Sequence, residues 1–209
     1  MVNSIRQCRT YFDLLSKSMR LVPFEDVDRV AGLLVHAYEH ERSIFLFGNG
    51  GSAALASHFA CDLGKGTVNG SKKRFRVMAL TDNVPLMTAW ANDSKYEDIF
   101  AEQLANFAQR GDVTFAISGS GNSPNVLRAL RLAQELGSTT IGLTGYAGGK
   151  MRALCDASIV VPCDNMQIIE DLHLCVAHSL FTCVRARIND LDSSHSAFGP
   201  RLLQRTGTR

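Results

Sequence analysis

The sequence predicts an α/β domain built on a parallel sheet, and two observations carry that prediction. Five short apolar runs, Ser43–Phe47, Phe75–Leu80, Val113–Ile117, Thr139–Leu143 and Ala157–Val161, have the length of strands. They are mostly apolar on both faces, as strands covered by helices on both sides are. Between most of them lie helical patterns, Ala53–Leu63, Tyr96–Ala108 and Asn125–Leu136, so strand and helix alternate along the chain.

The elements follow in order. Ile5, Cys8, Phe12, Leu15 and Met19 recur at three- and four-residue steps and mark the apolar face of a first helix, which Pro23 ends. A second amphipathic segment, Glu25 to Glu39, carries Val27, Val30, Leu33, Leu34 and Ala37. The alternating strands and helices come next, and a last helix from Met166 to Ile188 closes the domain. Residues 1–188 are expected to form one domain and 189–209 a loosely held tail, with Phe198, Leu202 and Leu203 apolar enough to dock. Neither an internal repeat nor a dividing linker is present.

The composition is that of an ordinary globular protein, 45% hydrophobic and 20% charged, and 209 residues suffice for a sizeable core. A net charge of +2 gives no reason to expect nucleic acid or a membrane as partner. Charges interrupt every apolar stretch of Met1–Arg20, and no run of about 18 apolar residues occurs. The six cysteines are scattered without a C-x-x-C pair, most of them in apolar stretches where free cysteine packs as a small hydrophobe. A reduced, cytoplasmic protein is expected.

Two loops point to a ligand, because open α/β sheets bind at the carboxyl ends of their strands. The first is Gly48-Asn49-Gly50-Gly51-Ser52, between a strand and a helix start, where free N–H groups suit an oxyanion or a sugar hydroxyl. The second is Ser118-Gly119-Ser120-Gly121-Asn122-Ser123, three serines among glycines at another helix start, a set of neutral donors suited to phosphate. One glycine-rich turn before a helix is more often mere capping. Two serine-bearing ones at equivalent strand ends favour a phosphate site. Neither is a P-loop or a dinucleotide fingerprint.

Two clusters suit acid–base or metal chemistry. His58 and Asp62 stand four apart on the helix after the first loop, so they share one face. Taken alone, such a pair is more often a surface interaction than a ligand set. Glu170, His173 and His178 lie on the last helix, with Glu170 and His178 about 80° apart around its axis. Two histidines and two carboxylates together suit Zn²⁺. His173 is expected to support packing or donate to a neighbour, and His36 and His40, on the polar side of the second helix, receive no role. Cys61 points about 100° away from Asp62, towards the expected core.

The motifs G-N-G-G-S, H-F-A at His58–Ala60, A-N-D at Ala91–Asp93, S-G-S-G-N-S-P-N-V and L-T-G-Y-A-G-G-K together resemble the SIS-domain (sugar isomerase) phosphoheptose isomerases, over about residues 5 to 188. The resemblance implies a flavodoxin-like five-stranded parallel sheet and a homotetramer with sites shared between subunits. It also implies conversion of sedoheptulose 7-phosphate to a heptose 7-phosphate, often with bound zinc. By the same resemblance His58 falls on a metal-binding histidine and His178 on a histidine that serves as metal ligand and acid/base. Asp62 takes the position of a catalytic glutamate and Glu170 that of a glutamine, so the implied metal set is His58, Asp62, Glu170 and His178, with Asp62 and His178 exchanging protons. Asn49, Gly50, Gly51, Ser52, Asp93, Ser118, Ser120, Asn122, Ser123 and Glu170 are the implied substrate contacts. A family arginine aligns with Gly66, with Lys65 beside it as a substitute. Trp90 is expected either on the sugar or, preferably, at a subunit interface.

A related SIS tetramer that recruits a replication initiator shares the A-N-D segment, a T-D-N segment like Thr81–Asn83 and an L-T-G-Y segment, which makes partner binding the rival reading. That relative lacks the final histidine, whereas His178 is present here. A sugar-phosphate sensor would be expected to add a DNA-binding segment, and the first two helices contain no basic recognition helix.

Overall fold

All five apolar runs become strands of one parallel sheet in the computed structural model of the chain, which describes residues 4–68, 70 and 73–192. The strands are β1 (Ser43–Gly48), β2 (Arg76–Ala79), β3 (Val113–Ser118), β4 (Thr139–Thr144) and β5 (Ala157–Val160). Their order across the sheet is β2-β1-β3-β4-β5, with every neighbouring pair parallel. This is the flavodoxin-like order, in which the strand sequence reverses between β1 and β3. Gly48 stands opposite Ile117, so the loops after β1 and β3 leave the sheet side by side at that reversal.

Side chains alternate across the sheet and fill two layers. Ile44 and Leu46 of β1, with Phe115 and Ile117 of β3, point into a core shared with α2 (Phe24–Glu39), α3 (Gly51–Cys61) and α8 (Met166–Asp192). Phe45, Phe47 and Ala116 point the other way, towards α5 (Ala101–Phe107) and α6 (Pro124–Glu135). A short α4 (Val84–Asp93) and α7 (Met151–Leu154) flank that second layer. Asn83 caps α4 by accepting a hydrogen bond from the Leu86 N–H at 3.2 Å.

Several elements differ from the sequence expectation. The segment Tyr96–Ala108 is a 3₁₀ turn, Tyr96–Asp98, followed by α5 rather than one helix. The last helix runs on to Asp192, past the expected end at Ile188, while residues 193–209, with Phe198, Leu202 and Leu203, lie outside the described residues. The first helix, α1 (Ser4–Met19), packs only Leu15 of its predicted face: Ile5 is 68% and Phe12 66% exposed, and Leu15 joins Tyr11 on the cluster of Val161, Ile168 and Leu172. The cysteines divide: Cys155, Cys163 and Cys183 are partly buried and pack against the core clusters, while the other three do not. All are free, and Cys8, Cys61 and Cys175 are exposed because α1, α3 and α8 each present a face that this chain leaves uncovered. No helix among the described residues is long and apolar enough to cross a membrane.

Candidate active site

The loop after β1 is held to the start of α6 by a reciprocal amide pair. Asn49 Nδ2 donates to Asn125 Oδ1 at 2.9 Å, and Asn125 Nδ2 donates back to Asn49 Oδ1 at 2.8 Å. The Tyr96 hydroxyl adds a third bond to Asn49 Oδ1 at 3.1 Å. Asn49, expected at the substrate, thus works largely as a clamp between the two loops. Its partner Asn125 is buried and went unnoticed in the sequence, hidden inside the S-P-N-V motif.

The serine loop is preformed. Ser118 Oγ accepts the Gly121 N–H at 3.2 Å and lies 3.4 Å from Ser123 Oγ, while Ser120 Oγ accepts the Asn122 N–H at 3.2 Å. Ser118 is buried, Ser120 and Ser123 are partly exposed and Asn122 is exposed, so the loop turns hydroxyls towards solvent from a fixed backbone. The segment after β4 braces it from behind: Gly145 N–H donates to Gly119 O at 2.9 Å, Met151 N–H to Gly121 O at 3.0 Å and Lys150 N–H to Asn122 Oδ1 at 3.1 Å. The L-T-G-Y-A-G-G-K motif therefore contributes as a support for the phosphate-type loop.

From the first loop a groove of about 370 Å³ runs between α3 and α8, lined by Gly51, Ser52, His58, Glu170 and His173 among others. The two helices lie side by side in the same direction, Gly51 level with Glu170 and His58 level with His178. His58 Nε2 is 2.9 Å from His178 Nε2 and 3.4 Å from Asp62 Oδ2, which lies 3.9 Å from His178 Nε2. The cluster is half exposed on the histidines and more enclosed at Asp62. It sits about 10 Å along α3 from Gly51, at seven residues and 1.5 Å per residue.

Asp62 opens a π-helical turn, Asp62–Gly66, that continues α3. Such turns recur at functional sites because the wider turn redirects one side chain. Phe181 explains the glycine at its end, since a Cβ on Gly66 would lie 2.7 Å from the ring. The arginine of the resemblance has no room there, and Lys65 beside it is exposed.

These donors fit a metal ion. Asp62 Oδ2 is buried without a hydrogen-bond partner, and its two companions in reach are the imidazoles of His58 and His178, one ligand atom from each of the three residues lying within 4.8 Å of the others. Two histidines and a carboxylate, with further positions open to water or substrate, suit a divalent transition ion. Glu170 is a correction to the expected set of four. Its carboxylate lies over Gly51, both oxygens 3.1 Å from where a Cβ on Gly51 would stand, and it does not belong to the His58–Asp62–His178 group. Eight residues separate it from His178, a rise of about 12 Å, which the favourable 80° angle concealed.

The other expected residues are placed as follows. Gly50 and Gly51 are exposed at the start of α3, and Ser52 is buried. Asp93 is the exposed last residue of α4, where Oδ1 accepts from Asn92 Nδ2 at 2.7 Å. Trp90 packs against the second core layer, and its indole N–H is buried without a partner within the chain. His173 is 1% exposed, and burial pushes its pKa from 6.5 down to about 4, with the Thr144 backbone working the other way. Next to Glu170, Asp171 accepts a hydrogen bond of 2.5 Å from the Tyr11 hydroxyl, which fixes α1 to α8; that bond raises the Tyr11 pKa to about 12.

Comparison with known proteins agrees with this architecture. The family profile described as SIS domain matches residues 10–145. The phosphoheptose isomerase of Aliarcobacter butzleri is 39% identical over 171 residues, 82% of this chain and 87% of that one. The phosphoheptose isomerase of a Bradyrhizobium species is 40% identical over 160 residues, 77% of this chain and 80% of that one. Among solved structures, a phosphoheptose isomerase from Francisella tularensis superposes with a TM-score of 0.81 at 27% identity, over 88% of this chain and all of that one.

Proposed function

The chain belongs to the SIS-domain phosphoheptose isomerase family, enzymes that interconvert aldoses and ketoses, and from that premise we propose that it converts sedoheptulose 7-phosphate to D-glycero-manno-heptose 7-phosphate. The observation that carries the reading is the convergence of His58, Asp62 and His178, with His58 lining the groove that begins at the first glycine loop. The spacing of about 10 Å leaves room for a chain of several carbons between the loops and the cluster.

The serine loop holds the phosphate through Ser118, Ser120, Ser123 and the backbone at the start of α6, the kind of neutral donor set that helix N-termini offer to anions. Gly50, Gly51, Ser52, Asp93 and Glu170 face the sugar hydroxyls. Isomerisation removes a proton from C1 of the ketose, returns one to C2 and moves the hydroxyl proton between O1 and O2. Asp62 is the carboxylate that takes the carbon-bound proton, and His178 handles the proton on oxygen. His58, Asp62 and His178 would hold zinc, which polarises the carbonyl when bound. One atom cannot hold a proton and an ion at once, so with zinc bound Asp62 would move its proton on the carboxylate oxygen left free, and His178 on the ring nitrogen left free.

We place the enzyme in the cytoplasm, in nucleotide-activated heptose synthesis, as a homotetramer whose sites lie at subunit interfaces. The free cysteines support the first point. The uncovered apolar residues of α1, and an α4 with no buried residue of its own, support the assembly.

The test is turnover of sedoheptulose 7-phosphate by zinc-replete protein, followed as aldose formation by NMR. His178→Ala and Asp62→Ala are each expected to lose about 10²–10⁴-fold in kcat while remaining folded, the span of general acid–base catalysis. No turnover by the zinc-replete wild type sinks the substrate assignment. Undiminished turnover in either variant sinks the role given to that residue.

A further inference from the structure

A second group of ligand-type side chains stands at the other end of β1. His36, Glu39 and His40 occupy the last turn of α2, one ligand atom from each lying within 4.8 Å of the others. All three are exposed, and the two imidazole rings lie 4.0 Å apart centre to centre. Spacings of three and four residues place them on one face of the helix.

One hydrogen bond prepares this group for a cation. His40 Nδ1 lies 2.9 Å from the His36 carbonyl oxygen. A carbonyl can only accept, so Nδ1 carries the proton and the lone pair of neutral His40 stands on Nε2. A backbone carbonyl that fixes the tautomer of a histidine in this way is the usual outer support of a metal ligand. Lys73 donates to the Glu39 carbonyl at 2.8 Å and already answers the negative end of the helix. The side chains, not the helix terminus, must therefore carry any affinity.

We propose that His36, Glu39 and His40 form a binding site for a divalent transition-metal ion, separate from the His58–Asp62–His178 cluster. Two imidazoles and one carboxylate select Zn²⁺ and its Ni²⁺ and Cu²⁺ neighbours over Mg²⁺ or Ca²⁺. Two nitrogens bound to one tetrahedral Zn²⁺ stand about 3.3 Å apart, which the exposed side chains reach by small rotations. The site caps the α2–β1 turn. Six residues of strand, about 20 Å, separate it from the substrate loops, so the ion it holds clips the fold and takes no part in the chemistry.

The test uses the full chain with Zn²⁺ alone, counting bound zinc per chain after equilibrium dialysis. Wild type is expected to hold about one ion more than His36→Ala/His40→Ala, and His58→Ala/His178→Ala is expected to keep that ion. The imidazole NMR signals of His36 and His40 should shift on Zn²⁺ addition in the latter variant. Should the alanine pair perturb folding by circular dichroism, His36→Gln/His40→Gln replaces it. The same zinc content in wild type and the His36/His40 variant overturns the proposal, as does complete loss of zinc binding in His58→Ala/His178→Ala.

Discussion

Acidification should destabilise this protein through one buried imidazole. His173 is 1% exposed, and burial, opposed by the Thr144 backbone, holds its pKa at about 4 against 6.5 in the unfolded chain. Between these values the unfolded state carries a proton that the folded state refuses. The folded pKa is depressed, so the contribution is fully present above pH 6.5 and is lost as pH falls towards 4. One pKa unit corresponds to about 1.4 kcal/mol, and integrating from pH 7 to pH 4.5 gives a loss of about 2.5 kcal/mol. That is a sizeable part of the ordinary 5–15 kcal/mol of a domain. The assay is urea unfolding at both pH values for wild type and His173→Leu, at one protein concentration and with a chelator present. The chelator removes any ion-linked pH dependence, and all other groups titrate alike in the two proteins. The wild type should lose about 2.5 kcal/mol more than the variant on acidification, a difference of about 1 M in relative midpoint shift. Equal losses in the two proteins would refute the assignment of a neutral, desolvated His173.

Two further outcomes are expected. Gly50 and Gly121 both have positive φ, +55° and +63°, but a Cβ on Gly50 meets nothing within 4 Å whereas one on Gly121 lies 2.2 Å from the Gly148 carbonyl oxygen. Thermal or urea melts should show Gly50→Ala costing about 1–2 kcal/mol and Gly121→Ala about 2–5 kcal/mol, because only the second adds a clash to the left-handed backbone. Phe12→Asp, on the uncovered face of α1, should leave the fold intact and shift the assembly to smaller species by light scattering; an unchanged mass would remove α1 from the interface.

The strands were legible almost to the residue because most are apolar on both faces and bounded by polar turns, and their ends match the apolar runs within one residue or so. Helices were less so. Val84, Met87 and Trp90 recur at three-residue steps and mark α4, yet Pro85 and the A-N-D motif drew attention away from that period. The break between Asp98 and Ala101 leaves no glycine or proline in the sequence, so nothing local announced it. The pattern of α1 was correctly apolar, but periodicity reports that a face must be covered and not which chain covers it. The same limit misplaced Cys61, whose direction away from Asp62 leads to an uncovered face and not to the core.

Within the candidate site, four-residue spacing put His58 and Asp62 on one helix face, but it marked them no more than a surface pair until the resemblance singled them out. His178 could join them only if α3 and α8 lie parallel and in one particular alignment, which the resemblance supplied and spacing could not. That alignment also decides what Glu170 does. It places the Glu170 carboxylate over Gly51, at the end of α3 where the free N–H groups favour negative charge. A second anion is unwelcome there, since like charges at close range repel. The first glycine loop, open in the sequence to either an oxyanion or a hydroxyl, therefore suits hydroxyls, which a carboxylate can accept from. The serine loop contains no acidic or basic side chain and is left as the place for phosphate. On the proposed function the two loops divide the substrate between them, phosphate on the β3 side and hydroxyls on the β1 side. The short Asp62 and the long Glu170 then do, on the proposed function, separate jobs about two helical turns apart, one at the reacting carbons and one above them.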